Sequence, residues 1–136
     1  VLVVDASVLV SALIDDGIAR ARMYLRLNGE DAICAPEIID LEIANAWRRD
    51  LRAGRIDEER SRQALEDLAV LPLIRMPHQP LMDRIWELRH NLTAYDAAYV
   101  ALAEDLDTGL LTADGRLARA PTVRCEIELI EDSDET

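Results

Sequence analysis

Asp5, Glu42, Asp96 and Asp114 are the residues of this sequence whose type and setting point to chemistry. Asp5 closes the apolar run VLVV, and Asp114 follows GLLT after one intervening residue. Each has an ordinary occupation available: Asp5, or Ser7 beside it, would cap the helix that follows, and Asp114 would turn an Asp-Gly pair. Asp96 lies in LTAYDAAYVALAE, where Thr93 and Asp96 have the spacing of a capping box. Its neighbours Ala94, Tyr95, Ala97, Ala98 and Tyr99 are nevertheless almost all apolar or aromatic, so the helix reads as buried and its carboxylate as facing protein or a cleft. Glu42 has no capping role. It falls mid-helix in PEIIDLEIANAWRR, in the row of Ile38 and Ala46 with Asn45 three residues on, while Asp40 falls on another side. These candidates are oxygen donors only. Oxygen ligation suits Mg²⁺ or Mn²⁺ rather than zinc, and His78 and His90 are isolated, without ligand spacing, and read as surface residues.

The elements that would carry these acids alternate along the chain. VLVV reads as a strand and ASVLVSALI as a helix. Residues 17–28 read as an amphipathic helix with Ile18, Ala21 and Leu25 on one side and Arg20, Arg22 and Arg26 off it. DAICAP is a short strand. The next helix is expected to start at Pro36 and stop at Gly54, and another over 57–71 opens on Asp57 with Glu58 and Glu59 in its first turn. LPLIRM, GLLT and EIELI read as strands; QPLMDRIWELRH, TAYDAAYVALAEDL and DGRLARA read as helices. This order predicts an α/β fold with a central, mainly parallel β-sheet flanked by helices on both faces. In such a sheet, ligands bind beyond the carboxyl ends of the strands, where Asp5 and Asp114 would converge.

Composition sets the bounds. The 136 residues suit a single domain over 1–130 followed by an acidic tail, 131–136. Two cysteines, Cys34 at the end of an apolar stretch and Cys125, suit a reducing cytosol, and no run of 18 apolar residues or basic leader precedes Asp5. A cytoplasmic protein without a membrane segment is expected. The net charge of −12 speaks against a nucleic-acid partner, yet six of the 27 acids fall at Glu126, Glu128, Glu131, Asp132, Asp134 and Glu135, leaving 21 against 15 bases. Every one of those bases is Arg. Arg48, Arg49, Arg52 and Arg55 cluster after Glu42, and Arg116 and Arg119 follow Asp114, offering forks for phosphate or simply solvated helix surface.

Taken together, VVDASVLV, APEIIDLEIANAWRR, LTAYDAAYVALAE and GLLTADGRLARA resemble the PIN domain, specifically the VapC-type toxin ribonucleases of bacterial toxin–antitoxin pairs, over essentially the whole chain. The resemblance implies a PIN-like fold and a Mg²⁺- or Mn²⁺-dependent endoribonuclease that hydrolyses RNA with a metal-activated water. It puts the four acids on Asp5, Glu42, Asp96 and Asp114, as metal ligands and catalytic groups, with Ser7 and Thr112 in support; by position alone, Asn45 beside Glu42 is a further supporting candidate, and Arg48, Arg49, Arg52 and Arg116 are candidate RNA contacts. It also implies a homodimer and a VapB-type antitoxin, in a heterotetramer or larger assembly; Trp47, Tyr24 and Leu25 are either interface or core residues. A receiver domain or a P-loop protein would need a Lys that this chain lacks, and a haloacid-dehalogenase-type phosphatase would show Asp-x-Asp where Asp-Ala-Ser stands. The remaining alternative is a catalytically inactive PIN scaffold that binds RNA or protein.

Overall fold

The computed structural model describes residues 1–15 and 17–130; the expected acidic tail, 131–136, lies outside the described residues. Among these, five short strands form one sheet: β1 (Leu2–Val4), β2 (Ile33–Pro36), β3 (Leu73–Met76), β4 (Leu110–Thr112) and β5 (Ile127–Leu129). All pairings are parallel and the order is β3-β2-β1-β4-β5. The central strands are apolar throughout because both of their faces are covered: Val3, Val4, Leu110 and Leu111 are fully buried. Each such side chain contributes about 1.5–3 kcal/mol by leaving water.

Helices α1 (Ala6–Ile14), α2 (Ile18–Leu27), α3 (Ile39–Arg52) and α4 (Glu58–Val70) connect β1 to β2 to β3. The chain then crosses back through α5 (Met82–Glu87) and α6 (Ala94–Asp105) to β4, on the other side of β1, and reaches β5 after α7 (Gly115–Ala118). Right-handed crossovers require that a reversal of direction also changes face. Helices α1 to α4 therefore cover one side and α5 to α7 the other. The crevice at the carboxyl ends of β1 and β4, where the order reverses, is the switch point at which such sheets bind ligands.

Several local expectations hold. Asp57 caps α4 by accepting from the Arg60 N–H at 2.7 Å, Thr93 caps α6 by accepting from the Asp96 N–H at 3.1 Å, and Cys34 is buried. Others change. Pro36 ends β2 instead of starting α3: the Glu37 N–H bonds Met76 across the β3 ladder at 2.8 Å, so position 36 faces β1 beyond its last paired residue, where a missing N–H costs nothing. QPLMDRIWELRH is a 3₁₀ turn, Gln79–Leu81, followed by the short α5, rather than one helix. In α2 the buried residues are Ala19 and Met23; Ile18, Ala21 and Leu25 face outward, because Arg20 turns inward to bond the Ala12 and Leu13 carbonyls at the end of α1. Trp47 belongs to the core, its indole N–H bonding the Val10 carbonyl at 3.2 Å, whereas Tyr24 and Leu25 are exposed. None of the helices is long and apolar enough to cross a membrane among the described residues.

Candidate active site

Asp5 follows the last residue of β1, opposite Thr112 at the end of β4, with its N–H bonded to the Leu111 carbonyl at 2.9 Å. It occupies the capping position of α1 but makes no side-chain cap. Instead its Oδ2 accepts two hydroxyl donors, Ser7 at 2.6 Å and Thr112 at 2.7 Å. Each hydroxyl is itself fixed from the β4–α7 loop: the Ala113 N–H donates to Ser7 Oγ at 2.9 Å, and the Asp114 N–H donates to Thr112 Oγ1 at 3.0 Å. Ser7 thus ties Asp5 to the neighbouring strand end and does not cap the helix. Oδ1 of Asp5 receives neither hydroxyl, and the whole residue is only 5 % exposed.

The other three acids reach the same edge from helix starts. Helices that return a chain to a parallel strand begin above the strands' carboxyl ends, so the first turns of α3 and α6 deliver Glu42 and Asp96 there. Both are half-buried: Glu42 sits in the part-buried row of Ile38 and Ala46, and Asp96 in the row of the core residues Val100 and Ala103. Glu42 is not paired with Arg49. Its Oε1 accepts the Tyr99 hydroxyl at 2.6 Å, and burial together with this bond keeps that phenol protonated, its pKa pushed well above the ordinary value. Asp114 does cap α7, its Oδ1 accepting from the Arg116 N–H at 2.9 Å, and the Arg116 guanidinium lies 3.7 Å from the same oxygen.

The electrostatics mark these acids as a group. Burial pushes the Asp5 carboxyl up; the Ser7 and Thr112 hydroxyls oppose this without reversing it, and the charge of Asp114 adds to it. Glu42 is raised by burial, against the Tyr99 bond, and by the charges of Asp5 and Asp96. Asp96 is raised by burial and by the charges of Asp5 and Asp114, with Arg116 and Thr93 opposing. A cation is the usual remedy for converging like charges. The donor types fit a hard one: carboxylates backed by hydroxyls, with no His or Cys among them. As placed, no three His, Cys, Asp or Glu side chains among the described residues are gathered closely enough to hold an ion between them. Glu42 is drawn toward Tyr99 and Asp114 toward the α7 N–H, the arrangement expected of like charges kept apart by other hydrogen bonds.

Of the supporting residues, Ser7 and Thr112 join the network directly, while Asn45 is exposed on α3, bordering an open groove with Glu42 and Arg49. Arg48 lines a separate cleft beside Trp47, Leu51 and Leu65; Arg52 is exposed farther along the helix, and Arg55 pairs with Asp50 at 2.9 Å. His90 is exposed as expected, but His78 is half-buried, because the turn 79–81 folds it against Ile85 and Ala98. The residue that sequence reasoning missed is Tyr99. Its position three after Asp96 puts it on the same face of α6, which was the available signal.

Comparison with known proteins places the chain in a family. The family model described as PIN domain matches residues 2–123. The chain is 47 % identical over 129 residues to Ribonuclease VapC1 of Mycobacterium tuberculosis (strain ATCC 25618 / H37Rv), covering 94 % of this chain and 96 % of that protein. It is 41 % identical to Ribonuclease VapC9 of the same strain, covering 95 % and 98 % respectively. Among solved structures, PAE2754 from Pyrobaculum aerophilum superposes with a TM-score of 0.63 at 27 % identity, over 86 % of this chain and 83 % of that one. VapBC2 from Rickettsia felis, bound to a DNA fragment from their promoter, shares the fold at a TM-score of 0.63 and 15 % identity, over 93 % and 97 % of the two chains. By the family model and these relatives, the chain belongs to the PIN domain family and, within it, to the VapC ribonucleases.

Proposed function

We propose that the chain is a Mg²⁺- or Mn²⁺-dependent endoribonuclease toxin that hydrolyses RNA phosphodiester bonds at Asp5, Glu42, Asp96 and Asp114. The observation that carries this reading is the pair of relayed hydroxyls on one oxygen of a buried aspartate, among three further acids and, among the described residues, with no ion pair to Asp5, Glu42 or Asp96. Asp5 and Asp96 would be the main ligands, with Glu42 and Asp114 ligating directly or through water. When bound, the divalent ion supplies a nucleophilic water at neutral pH and stabilises charge on the phosphate and the leaving oxygen. The protein's own groups do the positioning. Ser7 and Thr112 hold Asp5 with Oδ2 occupied, Tyr99 orients Glu42, and the buried walls of β1, β4 and α6 exclude bulk water from the acids. No side-chain nucleophile is required, and Arg49 and Arg116 lie at the borders of the site to meet phosphates.

Regulation by a VapB-type antitoxin follows from the same charges. An unneutralised acidic crevice is a receptor for an arginine or lysine on a partner segment, which would compete with metal and RNA. The exposed Tyr24 and Leu25 on α2 offer apolar area for a second copy of the chain, consistent with a homodimer within a heterotetramer or larger assembly. The cytoplasm is the compartment in which such a nuclease meets RNA.

The test is incubation of purified protein with total RNA and Mg²⁺ or Mn²⁺, alongside Asp5→Asn and Asp96→Asn. Wild type is expected to cleave, and each variant to lose about 10²–10³-fold in rate, the scale seen when a group acting on the transition state is removed. RNA left equally intact, or equally degraded, by all three proteins would favour the inactive scaffold instead.

A further inference from the structure

We propose that the open groove beside Glu42 is a stacking subsite for one unpaired nucleotide of the substrate, with Tyr95 as its platform and Arg49 as the contact to its phosphate. The inference rests on the nuclease reading and deepens it by naming the side chains that would hold one base beside the cleaved bond.

Glu42, Asn45, Arg49 and Tyr95 border a groove of about 460 Å³, and a second hollow of about 240 Å³ shares Ile38 and Tyr95 with it and continues to His78 and Met82. The two hollows share the wall made by Ile38 and Tyr95, and the first borders the carboxylate of Glu42. Tyr95 immediately precedes Asp96, yet it points away from the core and is 56 % exposed. An aromatic ring standing in water next to an active centre gives up burial that every other part of α6 from Ala97 to Ala103 obtains. Arg49 makes no ion pair among the described residues, unlike Arg55, Arg62 and Arg75. In the second hollow, His78 Nδ1 is the one buried side-chain polar atom without a hydrogen-bond partner among the described residues.

A nucleotide satisfies these features in one molecule. Its base has a flat π-face for Tyr95, its edge offers donors and acceptors to Asn45 or His78, and its phosphate matches the Arg49 guanidinium. The substrate backbone must already pass Glu42, so the nucleotide adjoining the cleaved bond reaches this groove without any further rearrangement. A base held in a duplex has both faces covered and is rejected.

The experiment measures binding of a fluorescein-labelled single-stranded 12-mer RNA of mixed sequence, and of a duplex of equal length, in Mn²⁺ with Asp96→Asn as the parent. Replacement of Tyr95 by Ala is expected to weaken the single strand about 5- to 150-fold, the range for loss of one stacked base, to leave the duplex unaffected, and to be rescued by Tyr95→Phe. Tyr95→Ala is also expected to keep the parental melting temperature, since the ring is exposed. Equal single-strand affinity, an equal loss on the duplex, no binding by the parent, or a loss confined to a VapB-type antitoxin peptide would each overturn the subsite. Cleavage of total RNA by the otherwise wild-type chain separates the two readings. Cleavage with Tyr95-independent binding defeats the subsite alone; Tyr95-dependent binding without cleavage defeats the nuclease alone.

Discussion

Helix α6 carries an acid near each end, and the two live under opposite conditions. Near its C-terminal end, Glu104 accepts from Arg84 Nε at 2.7 Å and Nη2 at 3.1 Å, and from the Arg124 N–H at 2.7 Å. Burial alone would raise its pKa, but the Arg84 and Arg124 bonds and charges outweigh burial and hold the carboxyl below its ordinary value. At the N-terminal end, Asp96 is raised by burial first and then by the charges of Asp5 and Asp114, and Arg116 and the Thr93 bond oppose this without reversing it. The chain is able to satisfy a buried acid with arginine and does so at Glu104. At Asp5, Glu42 and Asp96 it supplies hydroxyls instead, which orient a carboxylate and leave its charge in place. That contrast separates an acid that serves stability from acids kept for a ligand.

The comparison is broken most directly at Arg84. Replacement by Met leaves Glu104 desolvated with the Arg124 N–H as its remaining bond and no ion pair, so thermal denaturation is expected to show a loss of about 1–3 kcal/mol, with RNA cleavage little changed. An equally large loss of cleavage would show that the two ends of α6 are not independent.

A smaller effect tests the other end through pH. The folded pKa values of Asp5, Glu42 and Asp96 are raised, so rising pH, from about pH 4 upward through those values, releases protons more readily from the unfolded chain and destabilises the metal-free fold. Glu104 acts in the opposite sense, contributing stability that is present above about pH 4.3 and lost as pH falls. Asp5→Asn is therefore expected to raise the metal-free melting temperature at pH 7 by a few degrees, on the order of 3 °C for about 1 kcal/mol, and to flatten its decline with pH. Added Mn²⁺ should reverse the ranking, since an ion that binds only the folded wild-type site stabilises it. A variant that melts lower than wild type in chelator would remove the charge-strain reading of Asp5.

The smallest effect concerns the cap. Thr93→Ala removes the bond to the Asp96 N–H and is expected to cost about 0.5–1 kcal/mol in denaturant titrations. Metal affinity should follow only slightly, which sharpens the division between holding the helix and holding the ligand.

Strand-end acids were legible in the sequence because their setting is local. VLVVD and GLLTAD each show an apolar strand and its terminal carboxylate within six residues, and parallel pairing then brings Asp5 and Asp114 to one edge. Glu42 was legible from its row on α3, but its bond to Tyr99 was not, because the partner lies 57 positions away on another helix. The strand order was likewise hidden, since periodicity says nothing about neighbours in a sheet. Pro36 misled because its fixed φ suits a helix start and a strand end equally; the length of the adjacent β1 ladder decided between them. In α2 the apolar row Ile18–Leu25 lost to Ala19 and Met23 once Arg20 was drawn toward the α1 carbonyls, a tertiary contact that overrode local pattern.

The Thr112–Asp5 hydrogen bond joins residues 107 positions apart, from β4 to β1. During synthesis β1 emerges with Ser7 as the one near donor to its aspartate, and the second donor, Thr112, emerges more than a hundred residues later. A contact of such long sequence separation forms late and pays loop closure before it is rewarded. A chain growing from its N-terminus therefore holds no assembled acid centre until β4 has docked beside β1. The strand order thus makes the meeting of the four acids one of the last events in the assembly of the sheet.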